Sequence, residues 1–170
     1  MKKVLYVLLM LMLFFSATSL KGQNEKFKAL FLYNFTKYIE WPASKQGGDF
    51  VIGVLGNSPI KKELDIIASK KRIDNQPIKV KVFKSISDIG SCHVLFIPPG
   101  KSASLPEVNK KVEGKGILVI TDKPGLGKKG AGINYVLKGG HQDFEINKSA
   151  IKDQSLKVNS SLFALGTVID

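Results

Sequence analysis

The chain predicts an α/β fold: a largely parallel sheet covered by helices, made mixed by a β-hairpin at one side. Three observations carry this reading. Short continuous apolar runs at 50–56, 93–97 and 116–121 have the pattern of strands buried on both faces. Helix-spaced segments lie between them, the order expected for parallel strands joined by helical crossovers. Lys138-Gly139-Gly140-His141 then separates two strand-like stretches, 132–137 and 142–146, as a hairpin turn would.

Taken in order, the chain begins with Lys2 and Lys3, an apolar run from Val4 to Phe15, and the small residues Ser16, Ala17, Thr18 and Ser19. Charged, apolar and small-residue regions in that order predict a secretory signal peptide over 1–22, with cleavage after Ser19 or Gly22. The run is shorter than the roughly 20 residues of a membrane span, which disfavours an uncleaved anchor. No cysteine lies nearby to carry a lipid. The remainder, 23–170, is the size of one domain with one core and is expected to be soluble outside the cytoplasm.

The segment 27–42 predicts the first helix. Phe27, Leu30, Phe31, Phe35, Tyr38 and Trp41 fall on one side of it, and Pro42 stops it. Asn34 falls within that stripe, so it is expected to be a buried amide bonded to backbone. Tyr33, Thr36 and Glu40 fall opposite. The strand 50–56 follows. Ser58-Pro59 starts a second helix carrying Ile60, Leu64, Ile67 and Ala68, closed by Lys70-Lys71-Arg72. Ile78, Val80 and Val82 alternate with Lys79 and Lys81, as in a half-exposed strand at a sheet edge. A turn over 85–91 leads to the strand 93–97. A helix is expected over 102–112, with Pro106 near its start, then the strand 116–121 and the hairpin. Ser149–Asp153 predicts one helical turn. Asn159 predicts the cap of a last helix carrying Leu162, Phe163, Leu165, Val168 and Ile169.

Composition narrows the function. The formal charge is +12, two units of it from Lys2 and Lys3. Excess lysine can attract nucleic acid or an anionic surface. Here Arg72 is the only arginine, and arginine supplies the planar fork suited to phosphate and base edges. With export as well, nucleic acid is excluded as a partner and the lysines read as a solvated surface. Cys92 is the only cysteine, so no intramolecular disulfide can form. Its place before an apolar run predicts a buried, inert thiol.

Several motif look-alikes fail on context. Gly125-Leu126-Gly127-Lys128-Lys129-Gly130 matches a dinucleotide fingerprint, but a strand-like stretch follows where a helix is required. Gly100-Lys101-Ser102 lacks the first glycine of a phosphate-binding loop, since Leu95 stands there. Cys92 and His93 are adjacent and so point to opposite faces of a strand, and His141 lies in the predicted turn. No metal-ligand spacing, nucleophile elbow or carboxylate pair stands out. No cofactor, metal or catalytic set is therefore expected.

Four blocks together resemble the YfiR-like family of secreted bacterial proteins: Lys28-Ala29 through Trp41-Pro42, Phe50 to Gly56, Cys92 to Ile97, and the tail with Gly130-Ala131-Gly132-Ile133-Asn134-Tyr135, Phe144-Glu145-Ile146-Asn147 and Leu156 to Leu162. The resemblance implies a periplasmic, non-enzymatic domain built as a Rossmann-like three-layer sandwich. It also implies docking on the extracytoplasmic part of a membrane-bound diguanylate cyclase or sensor histidine kinase, with a homodimer left open. With one cysteine, control through intramolecular disulfides is not available to this chain. The candidate contact residues are Tyr33, Lys37 and Trp41, because aromatic and basic groups often form contact hot spots. For Trp41 the competing reading is core packing. The alternative function is a periplasmic small-ligand-binding protein, with its ligand outside the carboxyl ends of the parallel strands. An exported hydrolase is disfavoured by the lack of a catalytic constellation.

Overall fold

A computed structural model describes residues 24–170; the expected leader, 1–22, lies outside them. Helix α1 covers 24–36. It is followed by β1 (Ile39–Glu40), β2 (Phe50–Leu55), α2 (Ile60–Ala68), β3 (Arg72–Ile73), β4 (Gln76–Phe83) and β5 (Val94–Ile97). Then come α3 (Leu105–Val112), β6 (Leu118–Thr121), β7 (Ile133–Lys138), β8 (His141–Asn147), α4 (Lys148–Asp153), β9 (Lys157–Val158) and β10 (Thr167–Ile169).

Eight strands form one sheet in the order β10-β8-β7-β6-β5-β2-β4-β3. Neighbours are parallel except β7 with β8 and β3 with β4. β7 and β8 are joined at Gly139-Gly140, both with left-handed backbone, which glycine adopts without strain. β1 and β9 form a separate antiparallel pair.

The period-two geometry of β2, β5 and β6 sorts their side chains onto two faces. Ile52, Val54, Val94, Phe96, Leu118 and Ile120 belong to the core under α1 and α2, with Ala29, Leu32, Phe35, Ile60 and Leu64. Leu55, Leu95, Ile97 and Val119 belong to the core under α3, with Leu105, Val108 and Val112. Every residue of β5 and β6 is buried, which is why those stretches read as unbroken apolar runs.

Gly53 shows how tight the α3 face is. A Cβ there would lie 2.5 Å from Phe83 Cε2 and 3.2 Å from Leu95 Cδ1. Gly53→Ala is expected to cost about 1–3 kcal/mol through overpacking. A thermal melt checks it, and an unchanged midpoint would mean that the Phe83 ring swings clear.

Three expectations are corrected. First, α1 ends at residue 36, well before Pro42. Lys37 N–H and Tyr38 N–H close a tighter turn onto the Asn34 and Phe35 carbonyls, and Ile39 and Glu40 then pair with Val158 and Lys157. A strand partner distant in sequence overrides local helical spacing. Second, α1 is turned: Phe27 and Leu30 are about half exposed, at 48% and 47%, while Lys28, Ala29, Leu32, Phe35 and Thr36 are buried. Asn34 is only partly buried, and its Oδ1 accepts from exposed Lys37 Nζ at 3.1 Å rather than from backbone. Asn34→Leu is therefore expected to leave the melting temperature within the range of surface changes, about ±0.5 kcal/mol. Third, Asn159 caps only a 3-10 turn, Ser160–Leu162, accepting from Ser161 N–H at 2.9 Å. The chain then extends as β10 beside β8. Gly166 permits this, since a Cβ there would meet Phe144 at 2.5 Å.

Candidate functional site

The outward side of α1 carries Phe27, Leu30 and Asn34 in one helical row, with Lys26 and Tyr33 beside it and Lys37 in the turn that follows. The helix is held by its other side. Phe35 packs edge-on against Phe144, centroids 4.7 Å apart, and Tyr135 Oη donates to the Lys28 carbonyl at 2.7 Å. Lys37 Nζ lies 4.8 Å from the centre of the Tyr33 ring, a cation–π contact. Tyr33 Oη donates to the Arg72 carbonyl at 3.4 Å. Tyr33 and Lys37 thus come together on the surface, Tyr33 partly buried and Lys37 exposed. Trp41 does not join them. It is 6% exposed, its Nε1 donates to the His93 carbonyl at 3.2 Å, and it packs edge-on against Phe50. The structure adds Phe27 and Leu30 in its place. Their helical spacing predicts a core-facing stripe, but Ala29, Leu32 and Phe35 take the core face instead.

Lys28 explains which stripe faces inward. Its Nζ reaches Asp122 Oδ2 at 2.5 Å and Glu25 Oε1 at 3.2 Å. A lysine can turn inward only when its ammonium is paired in this way. Burial raises the Asp122 carboxyl above its ordinary value, and the Lys28 ammonium opposes that shift. Nearby, Thr121 Oγ1 donates to Asn134 Oδ1 at 2.7 Å, and Asn134 Nδ2 donates to Glu145 Oε2 at 2.9 Å. A concavity of about 530 Å³ opens here, at the carboxyl ends of β6 and β7, lined by Asp122, Tyr135, Asp143 and Glu145 among others. Asp122 and Glu145 are engaged with the protein's own side chains. At the β2–β5 boundary the Lys101 side chain lies across Gly56, its Cε 3.0 Å from where a Cβ would be.

At the opposite ends of the strands, His93 ties three segments together. Val51 N–H donates to its Nδ1 at 3.0 Å, and its Nε2 lies 2.7 Å from the Lys45 carbonyl. Nε2 therefore carries the proton and the imidazole is neutral. The ring stacks on Phe50 with centroids 4.2 Å apart. Burial, ahead of other effects, lowers its pKa. Cys92 points to the other face, into the core under α3, where burial pushes its thiol up to about 12. That is an inert thiol, not a nucleophile.

The glycine-rich look-alike is a packed connection. Gly127–Lys129 forms a 3-10 turn and β7 follows. Its carbonyls are taken by the protein itself, Gly127 O by Asn147 Nδ2 at 3.0 Å and Gly130 O by Asn109 Nδ2 at 3.1 Å. A Cβ on Gly127 would lie 2.5 Å from Glu145 Oε2, so this glycine serves close packing. Among the described residues, no three His, Cys, Asp or Glu side chains are grouped to hold a metal ion. No described helix is long and apolar enough to cross a membrane.

No curated protein matches the chain. A family model described as YfiR/HmsC-like matches residues 25–167, from the first turns of α1 into β10. The match takes in the α1 ridge, the His93 tie and the Lys28–Asp122 network alike, and members of that family are periplasmic regulators of signalling proteins rather than catalysts. On a match of this length the chain belongs to the YfiR/HmsC-like family.

Proposed function

We propose that the exported chain, residues 23–170, acts as a single non-catalytic domain that docks on the extracytoplasmic part of a membrane signalling protein. The partner is a diguanylate cyclase or a sensor histidine kinase, and docking shifts its activity. The observation that carries this reading is the α1 ridge. Phe27 and Leu30 stand about half exposed on a helix anchored firmly from behind. Exposed apolar side chains flanked by Lys26, Tyr33 and Lys37 are the makings of a contact patch. The strand order around β4-β2-β5-β6, with helices on both faces, supports a Rossmann-like three-layer scaffold beneath it.

A domain that works by binding changes its partner only through differential affinity for two of its states. Tenfold tighter binding to the inactive state supplies about 1.4 kcal/mol of bias. Crosslinking in membranes followed by mass spectrometry is expected to recover a cyclase or kinase. Deleting the gene is expected to alter the cyclic-di-GMP level or kinase output. Recovery of no membrane protein, together with substrate turnover by the purified domain, would falsify the reading.

A further inference from the structure

A second concavity, of about 640 Å³, lies near the amino ends of the strands, close to the His93 tie. Its lining comes from four separate places: Pro42 to Lys45, Ile89 to Ser91, the end of α3 through Ile117, and Ser155. Three of the lining residues are lysines, Lys45, Lys111 and Lys115, and none is acidic. Among the described residues, none of these three ammonium groups makes an ion pair; the five pairs present involve other lysines.

Lys45 is the informative member. Its Nζ is held by neutral acceptors, the Cys92 carbonyl at 2.7 Å and Ser91 Oγ at 3.4 Å. Its backbone is fixed as well, because its carbonyl accepts from His93 Nε2. A partly buried cation with no counter-ion is costly to hold, and burial lowers its pKa accordingly. An anion at this place would remove that cost. Lys111 and Lys115 are exposed and can close over a ligand from the rim. Ser155 is held with left-handed backbone, at φ 56°, one of two such non-glycine residues among those described. That conformation ends α4, with the Ser155 N–H donating to the Lys152 carbonyl at 2.8 Å.

The geometry points to a binding site for a small phosphate-bearing anion, held by Lys45, Lys111 and Lys115 and the hydroxyls of Ser44, Ser91 and Ser155. The size suits more than a bare ion, since ligand sites span roughly 300–1,000 Å³. Lysine binds phosphate as a point charge and needs no planar fork, so the scarcity of arginine does not weigh against it. The site is separate from the α1 ridge and stands or falls independently of partner docking.

Titration calorimetry of the full mature chain with sodium pyrophosphate and with glucose 6-phosphate tests the site. Vesicles of phosphatidylglycerol, compared with phosphatidylcholine, form the lipid arm. The expected result is a Kd of about 1 mM or tighter for at least one phosphate probe. That affinity should weaken with added salt and fall tenfold or more in the Lys111→Glu, Lys115→Glu double variant. Both positions are exposed, so the variant should melt as the parent does. A response to either soluble probe assigns a free phosphate compound; a lysine-dependent response to phosphatidylglycerol alone assigns a lipid headgroup. No binding in any arm, or binding unchanged in the folded double variant, overturns the site.

Discussion

His93→Ala is expected to destabilise the domain by about 3–4 kcal/mol, the largest stability loss foreseen for a single substitution. Two costs combine: a cavity beside Phe50 and the unpairing of the Val51 N–H, while the Lys45 carbonyl loses one of two donors and keeps Gln76 Nε2 at 3.2 Å. His93→Phe separates them. It keeps the stacking but leaves the Val51 N–H unpaired, so about 1–3 kcal/mol should be lost. Urea denaturation measures both, with an unchanged m-value as the sign that compactness is kept. The same contact sets a pH dependence. An imidazolium carries a proton on Nδ1 and cannot accept from Val51 N–H. The folded-state pKa lies below the ordinary 6.5, so the contribution is complete above 6.5 and is lost as pH falls through the folded value. Between pH 7 and pH 5 the urea midpoint of the wild type should fall more steeply than that of His93→Phe. Equal slopes would show that another group governs acid sensitivity.

The largest functional effect is expected from Phe27→Glu combined with Leu30→Glu. Both side chains are about half exposed, so a normal melting curve is expected. Truncating an apolar anchor in a contact centre costs about 2 kcal/mol or more, and buried charge adds to that. Partner binding should drop by at least about a hundredfold for the pair, and the variant should fail to complement a deletion. Lys37→Glu should weaken docking less, because an exposed charge at a rim contributes mainly to association rate. If the double variant is folded and complements fully, the α1 ridge is not the contact surface.

Strand residues were the most legible part of the fold. The runs at 50–56, 93–97 and 116–121 are β2, β5 and β6 with one or two extra residues at their ends. A strand with both faces covered must be apolar at every position, so burial and local pattern agree. The second helix was equally clear, because Ile60 and Leu64 form a single apolar stripe with no competitor. On α1 two stripes were available. Choosing between them requires knowing that the Lys28 ammonium, which reads as a solvated charge, meets Asp122, 94 positions further along the chain.

The candidate contacts divide in the same way. Tyr33 and Lys37 are candidates for their aromatic and basic chemistry, and the structure brings them into contact at the surface. Trp41 was named for its chemistry, but the strand pairing of Ile39 with Val158 carries it into the core, where the His93 carbonyl takes its N–H. The basic concavity had no sequence signature, since Lys45, Lys111, Lys115 and Ser155 belong to segments with no common motif.

By itself the sequence determined the secondary elements whose apolar pattern is unambiguous, the α/β class that follows from their order, and the resemblance that the family match bears out. Only the tertiary structure decided where α1 ends, which way it faces, that the tail is a strand, and which polar groups lie together. The reason is physical. Hydrophobic periodicity is a local property that one segment carries alone, whereas a buried lysine, a histidine clamped between two carbonyl-and-amide partners, or a strand pairing derives its energy from a group elsewhere in the chain.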